Sequence, residues 1–131
     1  MIVNAAARKA HIKLGKFGED TAVKLLEYKG YRILARNFRL KSGELDIVAL
    51  DGLTIVFIEV KTLRQIPGFT PAGNLSLEQM RRNRTTGTIY LNLFGIPHIR
   101  SRYDLIEITV DRHKPRKIID IVHTLDLFPC P

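Results

Sequence analysis

GELDIVALDGLTIVFIEVKT, Gly43 to Thr62, is the stretch on which the fold turns. Two apolar runs flank Asp51-Gly52, a dipeptide suited to a two-residue type I′ hairpin turn. With Asp51 and Gly52 as the turn, Leu50 faces Leu53, Val48 faces Ile55, Asp46 faces Phe57 and Glu44 faces Glu59. Side chains in a strand alternate between faces. One face then carries Leu45, Ile47, Ala49, Thr54, Val56, Ile58 and Val60. The other carries Glu44, Asp46, Val48, Ile55, Phe57, Glu59 and Lys61, apolar near the turn and charged at the open end. A ribbon this apolar on both sides is covered on both sides.

Three carboxylates and one lysine therefore gather at the margin of a buried layer, in a patch roughly 10 Å across. Buried charges cost several kcal/mol each unless they are paired, and Lys61 cannot balance three acids. A divalent cation supplies the missing charge most simply. An all-oxygen set of carboxylates, waters and a phosphate suits Mg²⁺, with Mn²⁺ as its substitute.

Asp46 followed by Glu59-x-Lys61 is similar to the PD-(D/E)XK nuclease signature. The surrounding text narrows the likeness: Gly18-Glu19, Lys29-Gly30-Tyr31, Ala35-Arg36-Asn37, Gly43-Glu44-Leu45-Asp46 and Phe57 to Thr62. Together, over roughly residues 15 to 110, they resemble the YraN family of predicted endonucleases. That family is similar in fold to the Holliday junction resolvases. The resemblance implies an α/β restriction-endonuclease-like core, αβββαβ, with a mixed sheet flanked by helices. It implies a Mg²⁺-dependent endonuclease acting on DNA, branched or damaged DNA included. Asp46, Glu59, Lys61, Glu19 and Gln79 would be the catalytic set. Asp46, Glu59, Glu19 and the Val60 carbonyl would be the metal ligands. Resolvase-like nucleases keep an acid in the first helix and work as dimers, so a role for Glu19 and a homodimer are implied too. The chain departs from the pattern at three places: Leu45 stands where proline is common, Gln79 where lysine is usual, and Thr86-Gly87-Thr88 in place of an Ala-rich turn.

The composition fits a nucleic-acid partner. The 131 residues carry 21 Lys and Arg against 13 Asp and Glu, a net charge of +8 that favours a polyanion. Arg36, Arg39, Lys41, Arg81, Arg82 and Arg84 are the candidate phosphate contacts. A chain 45% hydrophobic and 26% charged has the balance of one folded domain. No apolar run is long enough to span a membrane, and the N-terminus lacks an apolar signal core. The single cysteine, Cys130, precludes an internal disulfide and fits a reducing cytoplasm.

The remaining elements follow in order. Residues 4 to 14 are Ala-rich and basic, a helical lead-in or a loose arm. Phe17 to Lys29 forms a helix closed by Gly30. Tyr31 to Leu40 is a strand with Ile33 and Ala35 on one face. Residues 63 to 75 form a long loop bordering the groove. Ser76 caps a second helix, with Gln79 closing a capping box, and Leu77, Met80, Leu91 and Phe94 form its apolar stripe. Ile99 to Val110 is a strand in which Asp104 is structural, and Lys117 to Val122 is a last short strand or turn. Residues 125 to 131 offer apolar cover for a sheet edge. The four histidines show no ligand spacing and read as surface or capping residues. Two other functions compete with hydrolysis: a nucleic-acid-binding module that keeps the fold without turnover, and an adaptor whose basic face meets a protein or ribosome.

Overall fold

Among the described residues, seven elements follow one another: α1 (Ala5–Tyr28), β1 (Arg32–Leu40), β2 (Gly43–Asp51), β3 (Thr54–Arg64), α2 (Leu77–Leu93), β4 (Ser101–Val110) and β5 (Ile118–Thr124). The computed structural model describes residues 5–68, 76–96 and 99–128. The strands form one mixed sheet in chain order. Neighbours are antiparallel except β3 and β4, which run parallel. Parallel pairing needs a crossover, and α2 supplies it. This is an α/β fold with a five-stranded mixed sheet and two helices, consistent with a restriction-endonuclease-like core.

Each sheet face has its own cover. Ile47, Ala49, Val56, Ile58, Ile106, Ile108 and Val110 pack against Leu14, Ala22 and Leu26 of α1. Leu45, Val48, Ile55 and Phe57 pack against Tyr90 of α2 on the other side. Tyr90 meets Phe38 edge-on at 5.1 Å and Phe57 at 5.9 Å. Two glycines let the helices come close. A Cβ on Gly18 would collide with Thr62 Oγ1, and one on Gly87 with the Tyr103 hydroxyl.

The hairpin register differs from expectation. Asp51 pairs with Thr54, Leu50 with Ile55 and Ile47 with Ile58. The turn is therefore Gly52-Leu53. Gly52 has φ +60° while Leu53 is not among the positive-φ residues, the pattern of a type II′ turn with glycine first. Both strands moved by one residue, so most side chains keep their faces. The exception is Leu45, which packs with the α2 cluster.

That exception coincides with an irregularity shared by two strands. Arg36 pairs with Ile47 and Phe38 with Leu45, so Asn37 stands opposite Asp46. Asn37 has φ +52°, the left-handed region that asparagine tolerates best among L residues. Alternation breaks at Asn37 and at Asp46 together. A separate bulge between Ile33 and Ala35 places Ile33 against the α1 cluster and Ala35 against the α2 cluster. The two do not share a face.

Other expectations are corrected locally. Ala5 to Leu14 is the first half of α1, a helix propagated from its packed second half by good helix formers; residues 1–4 lie outside the described residues. Leu63 and Arg64 belong to β3, and of the loop expected after them residues 69–75 lie outside the described residues. In α2 the inward residues are Asn83, Thr86, Gly87 and Tyr90. Leu77 and Phe94 of the expected stripe are exposed. Beyond β5, Leu127 N–H donates to the Tyr103 carbonyl at 2.7 Å, so residues 125–128 do cover the edge of β4. Cys130 and His98 lie outside the described residues.

Asp104 is structural, as expected. It is buried and accepts from Arg102 Nε at 3.1 Å and from the Asp126 N–H at 2.9 Å. His123 Nε2 lies 2.8 Å from its other oxygen. The His123 side chain is thus buried in a polar network, not on the surface. Burial alone would raise the Asp104 carboxyl, but these donors outweigh it and hold it below the ordinary carboxylate value.

Candidate active site

The ladder between β2 and β3 stops at Ile47 and Ile58. One step further the Asp46 side chain takes over: Asp46 Oδ2 accepts from the Val60 N–H at 2.9 Å. The N–H and C=O of a strand residue open toward the same neighbour. The Val60 carbonyl therefore opens on the Asp46 side, where a ligand from that residue was expected.

Glu59 follows on β3 with its side chain 9% exposed. Gln79 Nε2 donates to its Oε1 at 2.6 Å, and Asn83 Nδ2 approaches its Oε2 at 3.4 Å. Gln79 and Asn83 are one helical turn apart and share a face of α2. Lys61 Nζ lies 3.5 Å from Glu59 Oε1 and 3.4 Å from Gln79 Oε1. Gln79 thus bridges the acid and the lysine. Its side chain does not reach back to Ser76; only the Ser76 half of the expected capping box forms, with Gln79 N–H donating to Ser76 Oγ at 3.1 Å.

Asp46 and Glu59 touch each other, and their acidities show the strain of it. Burial first, and then the Asp46 charge, push the Glu59 carboxyl up to about 7. Asp46 is raised as well, by burial first and by Glu44, against the Val60 N–H, the Glu59 proton and Lys61. Without a cation, each carboxylate disfavours ionisation of the other. Glu19, on α1, is raised by burial and then by Asp46, so it senses the same site from the opposite face of the sheet. With the Asn37 amide nitrogen turned toward the acids, Asn37 donates to Glu19 Oε1 at 2.9 Å and to Glu44 Oε1 at 3.2 Å.

Among the described residues, no three His, Cys, Asp or Glu side chains form a group that could hold a metal ion by themselves. The donors nevertheless fit Mg²⁺. They are hard oxygens, two of them on adjacent acids destabilised by each other's charge. Mg²⁺ normally takes one or two carboxylates and keeps several waters. Asp46 and Glu59 open on a concavity of about 350 Å³ lined also by Gly43, Glu44, Gln79, Arg82 and Asn83. That is room for waters and a phosphate.

The chain belongs to the Uncharacterised protein family UPF0102. The family model matches residues 18–108, which include every carboxylate, the lysine and the amides of this site. A UPF0102 protein of Geobacter sulfurreducens is 38% identical over 114 residues, covering 87% of this chain and 89% of that protein. One of Symbiobacterium thermophilum is 38% identical over 96 residues, 73% of this chain and 81% of that protein. One of Chlorobium phaeobacteroides is 42% identical over 95 residues, 72% and 75% respectively.

Within this UPF0102 chain the expected site residues are only partly united. Asp46, Glu59, Lys61, Gln79 and Val60 converge, and Glu19 borders them. Glu44 does not face Glu59; it pairs with Arg39 at 3.3 Å. The expected phosphate contacts are dispersed. Arg36 is tied to Asp20 at 2.7 Å. Lys41 sits exposed in the β1–β2 turn, which Ser42 fastens to Thr86 at 2.8 Å. Arg82 lines the site and pairs with Glu78 at 2.8 Å. Arg81 and Arg84 line a second concavity beside Phe128. Sequence reasoning passed over Asn37 and Asn83. Asn83 was findable, because it lies four residues after Gln79 and so shares its helical face. No helix among the described residues is long and apolar enough to cross a membrane.

Proposed function

We propose that this protein is a metal-dependent endonuclease that hydrolyses phosphodiester bonds of DNA. The observation that carries the reading is the buried Asp46–Glu59 pair, with Lys61 held beside it by Gln79 at the open end of the sheet. The resemblance of these positions to the PD-(D/E)XK signature points the same way, as does the net charge of +8. Mg²⁺, when bound by Asp46, Glu59 and the Val60 carbonyl, lowers the pKa of a bound water and polarises the phosphate. The other tasks fall to the chain. Gln79 and Asn83 fix both oxygens of Glu59, and the Val60 N–H fixes one of Asp46. Lys61 presents an ammonium where negative charge accumulates on the phosphoryl oxygens, and it can orient the attacking water. Glu19 adds negative charge near Asp46 from the α1 side of the sheet.

The test is cleavage of single-stranded, duplex, flapped and four-way substrates with Mg²⁺ or Mn²⁺, beside Asp46→Ala and Lys61→Ala. Cleavage lost in both variants, with circular dichroism unchanged, is the expected result. A wild-type protein that cuts none of these overturns the reading. Salt-sensitive binding that persists without any cleavage would instead mark a nucleic-acid-binding module.

A further inference from the structure

We propose that the N-terminal half of α1 and the β4–β5 turn together form a phosphate-binding surface for a duplex that continues past the candidate active site. The inference rests on the endonuclease reading and names the shape of its substrate. Residues 5–13 of α1 are all exposed, so this part of the helix projects from the body. It carries Arg8, Lys9 and Lys13 and, from Ala5 to Phe17, no acid. The β4–β5 turn carries Arg112, Lys114, Arg116 and Lys117. Its single acid, Asp111, uses Oδ1 to accept the backbone N–H groups of His113 and Lys114, at 2.8 Å each. Among the described residues, none of these seven cations forms an ion pair. Arg36 and Arg39 on β1 behave differently, since both are paired with acids.

The two segments are one surface. Ala10, Lys13, Phe17, Arg64, Pro115 and Arg116 line a shared cavity of about 190 Å³. The surface also meets the strand that carries Glu59 and Lys61. Gly18 packs on Thr62, next to Lys61, and the helix then runs toward Arg64 and the turn. Lys61 to Arg64 is about 10 Å of strand, and Ala5 to Leu14 adds about 14 Å of helix. At 3.4 Å per base pair, that track spans roughly six to eight base pairs. A row of unpaired cations of this length fits the regular charge of a duplex backbone better than a single anion.

The experiment uses the full chain carrying Asp46→Ala, in chelator, so that binding is read without hydrolysis. Affinity for a 30-base-pair duplex is measured by fluorescence anisotropy across a salt series. Lys9→Ala with Lys13→Ala is one test protein, and Arg112→Ala with Arg116→Ala is another. Lys24→Ala with Arg32→Ala, two exposed cations elsewhere, is the charge-matched control. Each patch pair is expected to reduce the slope of log affinity against log salt by about 2, at about 0.9 per phosphate contact. The control is expected to leave it within about 0.5 of the parent. Equal losses in patch and control would reduce the effect to net charge and overturn the proposal. So would patch variants that bind like the parent, or a parent that binds phosphatidylserine vesicles but no duplex. Because hydrolysis is not read, an inactive wild type would sink the endonuclease while leaving these slopes intact. Slopes unaffected by the patch variants, beside an active wild type, would sink only the surface.

Discussion

Glu59→Gln should make the metal-free protein more stable at alkaline pH, by an amount that follows from where Glu59 sits. Its carboxyl is pushed from an ordinary 4.5 to about 7, by burial first and by Asp46 second. A group raised in the folded state binds an extra proton there between those two values. The native state is therefore favoured at low pH, and stability falls as pH rises from about 4.5 through about 7. A displacement of that size corresponds to about 3 kcal/mol. Glutamine removes the charge but offers one acceptor oxygen where glutamate offers two. Gln79 and Asn83 cannot both be served, at a cost of about 1 kcal/mol. The net gain at pH 8 is then about 2 kcal/mol, or roughly 6–10 °C in Tm. The assay is urea or thermal denaturation of both proteins in chelator from pH 5 to pH 8. Comparing the two profiles cancels the titration of groups remote from Glu59, so the difference reports the Glu59–Asp46 pair. The wild-type profile should drop relative to the variant as pH rises, and Mg²⁺ at pH 8 should stabilise the wild type alone. Parallel profiles would refute the argument, because they would mean that Glu59 is not forced to choose between its proton and its neighbour.

Further outcomes concern the residues that hold the site. Gln79→Ala releases both Glu59 and Lys61 and should slow single-turnover cleavage roughly 10- to 100-fold, as loss of a ligand-orienting partner does. Gly18→Ala places a methyl against Thr62 and should destabilise by about 1–3 kcal/mol in urea titration, by lifting α1 off β3. Asp104→Asn takes from the Arg102 guanidinium its buried counter-charge, leaving it the more exposed Asp51 at 3.1 Å, and should cost about 1–3 kcal/mol at pH 7. The Asp104 carboxyl is lowered in the fold, so its stabilisation is complete above the ordinary carboxylate value and lost as pH falls below about 4. The Asn variant should therefore flatten the acid limb of the stability profile.

The hairpin was legible because its two faces differ at the open end, where Glu44, Asp46, Glu59 and Lys61 alternate with apolar residues, and a shift of one residue on each strand does not mix them. Its register was not, because Asp51-Gly52 satisfies the preference for a type I′ turn while the chain uses Gly52 with an exposed Leu53 instead. The order of strands and helices could be read from alternating and helical patterns in the chain. The inward face of α2 could not. Its apolar residues are outnumbered at the contact by Asn83, Thr86 and Gly87, chosen for hydrogen bonding and close approach rather than for hydropathy. Glu59 and Lys61, on regular positions of β3, could be picked out as candidates from the strand pattern. The asparagines that aim or hold the site residues could not, since a supporting amide has no charge and no spacing of its own.

The left-handed residue opposite Asp46 bears on anyone who would move this chemistry elsewhere. A straight two-stranded ribbon furnished with the same aspartate, glutamate and lysine would present the same letters in a different order in space. There the aspartate would follow the pleat, and Leu45 would turn toward the first helix. The short signature is thus an incomplete recipe. In this chain it becomes a constellation where the adjoining strand carries Asn37, bent backward at the matching place.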